Sequence, residues 1–171
     1  MLIEELGRQA SLELLAQLRF GRLACAKEHQ PYITPFFYVY HEGSIYSFTT
    51  AGQKIDWMRA NPLVCVQADE INTPQQWRSV IVFGRYEELP ESPEWQSTRE
   101  KVRNLLTERE IWWEPGYAKT IIDGHERPLN PVFYRISIEH ITGHQASLGV
   151  KDHKPDVLQN VGWLKALLSR L

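Results

Sequence analysis

The stretch PYITPFFYVY, residues 31–40, constrains the fold most. It has the β-branched and aromatic content of a strand, yet it lacks the alternation that leaves one side of a sheet in water. Both faces therefore need cover. A chain of 171 residues is long enough for one domain with a real core. One face of the strand then belongs in a sheet or barrel interior, and the other under a second subunit or a ligand. Pro35 adds a second constraint. It cannot donate to a ladder, so the strand carries a gap or an edge at its middle.

Around this strand the chain reads as a succession of strands with few helices. RFGRLACA, residues 19–26, precedes it, with KEHQP as the hairpin connection. HEGS follows as a turn in which Gly43 is available for positive φ. SIYSFTT, residues 44–50, is a third strand, LVCVQADE, 63–70, a fourth, and WRSVIVFGRYEEL, 77–89, a long fifth in which Gly84 marks a bulge. VFYRISIEHITGHQA, 132–146, is the last, with Tyr134, Ile136, Ile138 and His140 on one face. A first helix is predicted from a Ser11 cap to Leu18, and a short one after Gly52 ends at Asn61-Pro62. Another spans 93–109, with Ser92 as cap and Pro93 at its first position, and the tail DVLQNVGWLKALLSRL is an amphipathic helix. The expected architecture is a single domain over 1–171, mainly β (α+β): a partly open antiparallel barrel of six strands with flanking helices.

Composition narrows the functional classes. A formal net charge of −2 gives no basic field for nucleic acid. No apolar run is long enough to cross a bilayer. The acidic N-terminal stretch lacks the basic-then-apolar order of a signal peptide, so a cytoplasmic location is expected. Cys25 and Cys65 lie in apolar runs without CxxC spacing and read as buried free thiols. His140 and His144 lie on and just past a strand, about 13 Å apart at strand spacing, so no metal site is expected. Six tryptophans and seven tyrosines are many for this length, and such residues bury large area or meet a ligand or partner. Trp112 and Trp113, in the loop-like IWWEPGY, either stack on a planar ligand and line its pocket or plug the barrel end.

SFTTAGQKIDWMRANP, residues 47–62, is where chemistry concentrates. Gly52 lets backbone approach a ligand closely. The first amides of a helix have no internal partners and favour an anion. Thr49 and Thr50 offer hydroxyl donors. Lys54 brings a charge to a helix start, where the dipole disfavours it unless an anion is present. A solvated turn with an incidental lysine is the alternative for these residues taken alone.

The ordered series GRLAC, PYITPFFYVY, IYSFTTAGQK, ANPLVCVQADE and WRSVIVFGRYEEL resembles the pyridoxamine 5′-phosphate oxidase-like flavoproteins, especially the short members related to nitroimidazole-resistance reductases. The resemblance covers residues 12–89 well and 132–142 loosely. It implies an FMN-binding split β-barrel, and a homodimer with FMN at the subunit interface. It implies that Thr49, Thr50, Gln53 and Lys54 hold the FMN phosphate, with Gly52 letting the backbone close in. Thr34, Pro35, Phe36 and Phe37 would run beside the isoalloxazine ring. Trp77, Arg78 and Ser79 would approach the flavin or its ribityl chain, and Phe48 and Trp113 are further cofactor candidates. Phe48 stands at the end of the third strand, where many nitroimidazole-reductase-like members carry histidine, which weakens a nitroreductase mechanism. The basic residues that hold the substrate phosphate in true pyridoxamine phosphate oxidases lack clear counterparts. The expected activity is an oxidoreductase passing electrons through FMN to a small molecule or oxygen. A flavin carrier or sensor, or a barrel holding deazaflavin or haem, are the alternatives.

Overall fold

In the computed structural model the described residues are 1–107, 120–122, 125–127 and 131–148. In chain order they form β1 (Leu2–Leu6), α1 (Arg8–Gln17), β2 (Phe20–Lys27), β3 (Gln30–Phe37), β4 (Val39–His41) and β5 (Ser44–Thr50). Then come α2 (Gln53–Ala60), β6 (Leu63–Thr73), β7 (Gln76–Glu88), α3 (Gln96–Thr107), β8 (Thr120–Ile122), β9 (His125–Arg127) and β10 (Pro131–Ser147). Eight strands make one antiparallel sheet in the order β3-β2-β6-β7-β10-β5-β4, with β1 added on β10. β8 and β9 pair only with each other.

The two ends of that order are consecutive in sequence. β3 and β4 are separated by Tyr38 alone, so the covalent chain joins the first and last strands of an open sheet. The sheet must curl to allow this, and the result is a barrel left split between β3 and β4. Tyr38 anchors the corner: its amide donates to Arg19 O (2.9 Å) and its hydroxyl to Leu15 O on α1 (3.1 Å). The apolar stretch 31–40 is thus two strands that change sheet partner at a bend. Pro35 costs no interior ladder bond because β3 is an edge. At the β4–β5 hairpin, Glu42 (φ 47°) and Gly43 (φ 78°) both take the left-handed conformation of a two-residue turn.

The barrel interior is filled by Leu23, Phe36, Ile45, Val66, Val80, Val82, Tyr134 and Ile136, and capped by Leu14 and Leu15 of α1 and Ile55 and Met58 of α2. A second apolar cluster lies under α3, where Val102 and Leu106 pack on Val39, Leu89 and Phe133.

Several local expectations are corrected. The sheet has eight strands rather than six, because β1 and the separate β4 add to it. α1 starts at Arg8. Ser11 lies inside it, fully buried, with its hydroxyl hydrogen-bonded to Gly7 O (3.1 Å). α3 starts at Gln96, after a turn closed by the Trp95 amide on Ser92 O (3.1 Å), so Ser92 is not its cap. The bulge near Gly84 is on the facing strand, where β10 shifts register between Ile138 and His140. That shift turns His140 outward and Ile141 inward, so the expected single face of β10 breaks there. Gly84 is required by close approach: a Cβ would lie 2.5 Å from Ser137 O. Cys25 is buried, but Cys65 is only half-buried, on the outer face. The predicted C-terminal helix, Trp112 and Trp113 lie outside the described residues.

The outer face of the β3-β2-β6-β7-β10 half carries a cross-strand row: Ile33, Ala24, Cys65, Phe83 and His140 are successive ladder neighbours. Ile33 is 62% and Phe83 50% exposed, and Leu63 and Ile81 flank them. A shallow recess of about 360 Å³ opens between Ala26, Leu63, Cys65 and Phe83. Beside the row runs a polar network, in which Arg22 donates to Asp69 (2.8 Å) and Gln67 (3.1 Å), and Gln67 to Ser79 (3.3 Å).

Candidate functional site: the turn between β5 and α2

β5 ends at Thr50 and α2 starts at Gln53, so Ala51 and Gly52 make the whole turn. Thr49 and Thr50 are held by their ladder partners Val132 and Pro131 on β10. Neither hydroxyl bonds to another described residue. Gly52 precedes α2 with an extended φ of 169°, which any residue adopts, and α2 has no side-chain cap. Glycine is not needed there for conformation. The space a Cβ would enter is open, which is what close approach of a ligand to the backbone requires.

Lys54 is the unusual group. Burial draws its ammonium below the ordinary lysine range, and among the described residues the one opposing influence is the Cys25 thiol. That thiol is itself pushed up by burial, so it stays neutral near pH 7 and supplies no counter-charge. No carboxylate pairs with Lys54 among the described residues. A desolvated cation at a helix start, beside free helix amides, has the donor set of an anion site. One charge and the free amides of a helix start fit a phosphate; Thr49 is buried and Thr50 lies on the opposite face of β5, so the two hydroxyls do not share one side of the strand.

The helix that carries Lys54 is fixed from several sides. Ile55 and Met58 are fully buried in the core. Trp57 meets Tyr32 of β3 edge-on at 5.6 Å between ring centroids. Arg59 forks onto Glu88 at 2.8 and 2.9 Å, and the Tyr86 hydroxyl donates to the same carboxylate (3.1 Å). Asn61 donates to Ala26 O (3.0 Å) and accepts from the Leu63 amide (3.2 Å), which ties the end of α2 to β2. Sequence reasoning missed Asn61 and the Arg59–Glu88 pair. The only signal was the Asn-Pro that ends the helix.

The other candidates fall into three places. Thr34, Pro35, Phe36 and Phe37 lie on the edge strand β3. Phe36 points into the core against Tyr38 (5.4 Å), and Phe37 O accepts from the Ser47 hydroxyl (2.7 Å). β3 is an edge strand, with no ladder partner on its outer side among the described residues. Trp77, Arg78 and Ser79 are half-buried at the start of β7. Ser79 pairs with Asp69, whereas Cys25, the neighbour of Lys54, pairs with Val64. Along β6 these positions are about 16 Å apart at ~3.3 Å per residue, so one chain does not bring the two groups together. Phe48 stacks on Phe133 (5.4 Å) under α3, and its ring is engaged there. Trp113 lies outside the described residues.

A split barrel with flanking helices defines a class of small β proteins, and the comparisons place this chain within one family of it. It belongs to the pyridoxamine 5′-phosphate oxidase family, whose model matches residues 7–145. An uncharacterized protein of Rhizobium meliloti (strain 1021) is 36% identical over 149 residues, 87% of this chain and 99% of that protein. The crystal structure of a FAD-binding protein from Mesorhizobium loti is 40% identical, with a TM-score of 0.71, over 86% of this chain and 98% of that one. A putative pyridoxamine 5′-phosphate oxidase from Corynebacterium glutamicum, 24% identical, shares the fold with a TM-score of 0.63 over 87% and 96% of the two chains. Among the described residues no helix is long and apolar enough to cross a membrane, and no cluster of side chains has the makings of a metal site.

Proposed function

We propose that this chain is a flavoprotein that binds a flavin nucleotide by its 5′-phosphate at the β5–α2 turn and serves as an oxidoreductase. The observation that carries the reading is Lys54, a desolvated cation at the start of α2 with no carboxylate partner among the described residues. Lys54, Thr50 and the backbone at Gly52 and Gln53 hold the phosphate. The edge strand at Thr34, Pro35 and Phe36 runs beside the ring. When bound, the isoalloxazine supplies the electron chemistry, and this chain supplies placement, dryness and electrostatics.

The outer face carries a second part of the proposal. The apolar row through Ile33, Ala24, Cys65 and Phe83 is covered by a second copy of the chain in a homodimer, which also gives the stretch 31–40 its second cover. Trp77, Arg78 and Ser79, too distant from Lys54 within one chain, then serve the site of the other copy.

FMN is the smallest ligand that satisfies the phosphate turn. FAD is the second reading, favoured by the 40% identical protein described as FAD-binding. The absorption spectrum of freshly purified protein, with the mass of the released cofactor, tests the proposal. A flavin spectrum and a mass of FMN or FAD are expected. A colourless protein that takes up neither would overturn it. Rapid reduction of the bound flavin by NADH or NADPH distinguishes an oxidoreductase from a carrier.

A further inference from the structure

The β10–β5 ladder connects the phosphate turn to a second basic place. Phe48 and Thr50 share a face of β5, and Phe48 stacks on Phe133 of β10. Two guanidinium groups of α3 cover Phe133, that of Arg99 at 4.8 Å from the ring centre and that of Arg103 at 5.8 Å. Both line a groove of about 350 Å³ between α3 and residues 91–93, a size at the lower end of ligand pockets.

The two arginines are not equivalent. Arg99 donates to Leu89 O (2.7 Å), has a side chain only 13% exposed, and lies 3.8 Å from Glu91. Arg103 is exposed and has no carboxylate partner among the described residues. Its guanidinium lies over the Phe133 ring, and no other described residue takes its donors. A guanidinium so placed can hold a phosphate oxygen or stack on a planar base. Glu91 and Glu100 border the same groove, and carboxylates accept from the hydroxyls of a ribose. Phe48, about 7 Å along the strand from Thr50, stacks on the Phe133 ring that the two arginines cover, so one aromatic pair separates the turn from the groove.

We propose that this groove takes the adenylate half of a flavin adenine dinucleotide whose flavin phosphate sits at the β5–α2 turn. Arg103 contacts the second phosphate or stacks on adenine, and Arg99 fixes the floor. This rests on the flavin reading above and selects FAD as the ligand.

Fluorescence titration of the full chain with FMN and with FAD tests it, in wild type and in Arg103→Gln. Arg103 is exposed, so its replacement leaves the core intact. Wild type is expected to bind FAD more tightly than FMN. Arg103→Gln is expected to weaken FAD about tenfold, as loss of a charge-assisted contact does, and to leave FMN within twofold. Equal affinities in wild type, or an FAD advantage that survives Arg103→Gln, overturn the subsite while the flavin reading stands. A wild-type chain that binds neither flavin overturns both.

Discussion

Two polar regions of the barrel treat their charges in opposite ways. At the start of β7 every charged group is answered within the chain: Arg78 forks onto Glu70 at 2.7 and 3.0 Å, and Arg22 meets Asp69 at 2.8 Å. At the β5–α2 turn, Lys54 is half-buried with no acidic partner among the described residues. The same contrast holds within α2, where Arg59 in the last turn has Glu88 and Lys54 in the first turn has none. Exposed ion pairs of the first kind contribute little, ~0–1 kcal/mol each. A desolvated cation without a partner costs stability, and a fold keeps one where something from outside completes it.

The comparison can be broken most directly at Lys54. Lys54→Ala is expected to weaken flavin nucleotide binding about 10–100-fold, the loss of ~1.5–3 kcal/mol for a hydrogen-bonded charge. The next effect concerns the outer row. Phe83→Asp places a charge beside Cys65 and His140, and is expected to raise the dimer dissociation constant at least about tenfold, read by sedimentation or light scattering. A wild-type protein that is already monomeric at micromolar concentration contradicts the proposed homodimer. Arg78→Gln should be milder. Its guanidinium is engaged with Glu70, so flavin affinity is expected to change by less than about fivefold and stability by under ~1 kcal/mol. A loss at Arg78 equal to that at Lys54 would erase the distinction between the two regions.

The smallest expected effect is on pH dependence. Lys54 has a folded pKa below its unfolded value, so between the two the unfolded chain binds more protons. Stability of the cofactor-free protein therefore rises with pH through the alkaline window below 10.5, the ordinary lysine value. Lys54→Met removes this slope and raises the melting temperature of the cofactor-free form near neutral pH, while it abolishes the phosphate contact. Melting curves with and without flavin read both changes. An unchanged slope in Lys54→Met would remove burial of the ammonium from the account.

Much of the fold was legible in the sequence where local and tertiary demands agree. SIYSFTT forms β5 over the residues its alternation indicates, and the Asn-Pro after Ala60 ends α2 as read. Pro35 correctly signalled an edge. The failures lie where a distant partner decides. β1, LIEEL, is almost wholly exposed and has no buried stripe, and only its pairing with the far half of β10 makes it a strand. The stretch 31–40 read as one strand because nothing local marks the change of partner at Tyr38. The bulge at Ile138/His140 reversed a face of β10 that a strict alternation had continued. At the site, the residue types at 49–54 are what the sequence offers for the proposed anion. The missing counter-charge of Lys54, the tether at Asn61 and the diversion of Phe48 onto Phe133 are three-dimensional facts with no periodic signature.

The central claim is that the charge Lys54 lacks is the phosphate of a flavin nucleotide. Riboflavin is the same ring without that phosphate, so the affinities of wild type for FMN and for riboflavin measure the claim directly. The account predicts that FMN binds about 10–100-fold more tightly than riboflavin, and that Lys54→Ala removes most of that difference. Equal affinities for FMN and riboflavin, or a preference for FMN that Lys54→Ala leaves intact, would contradict it.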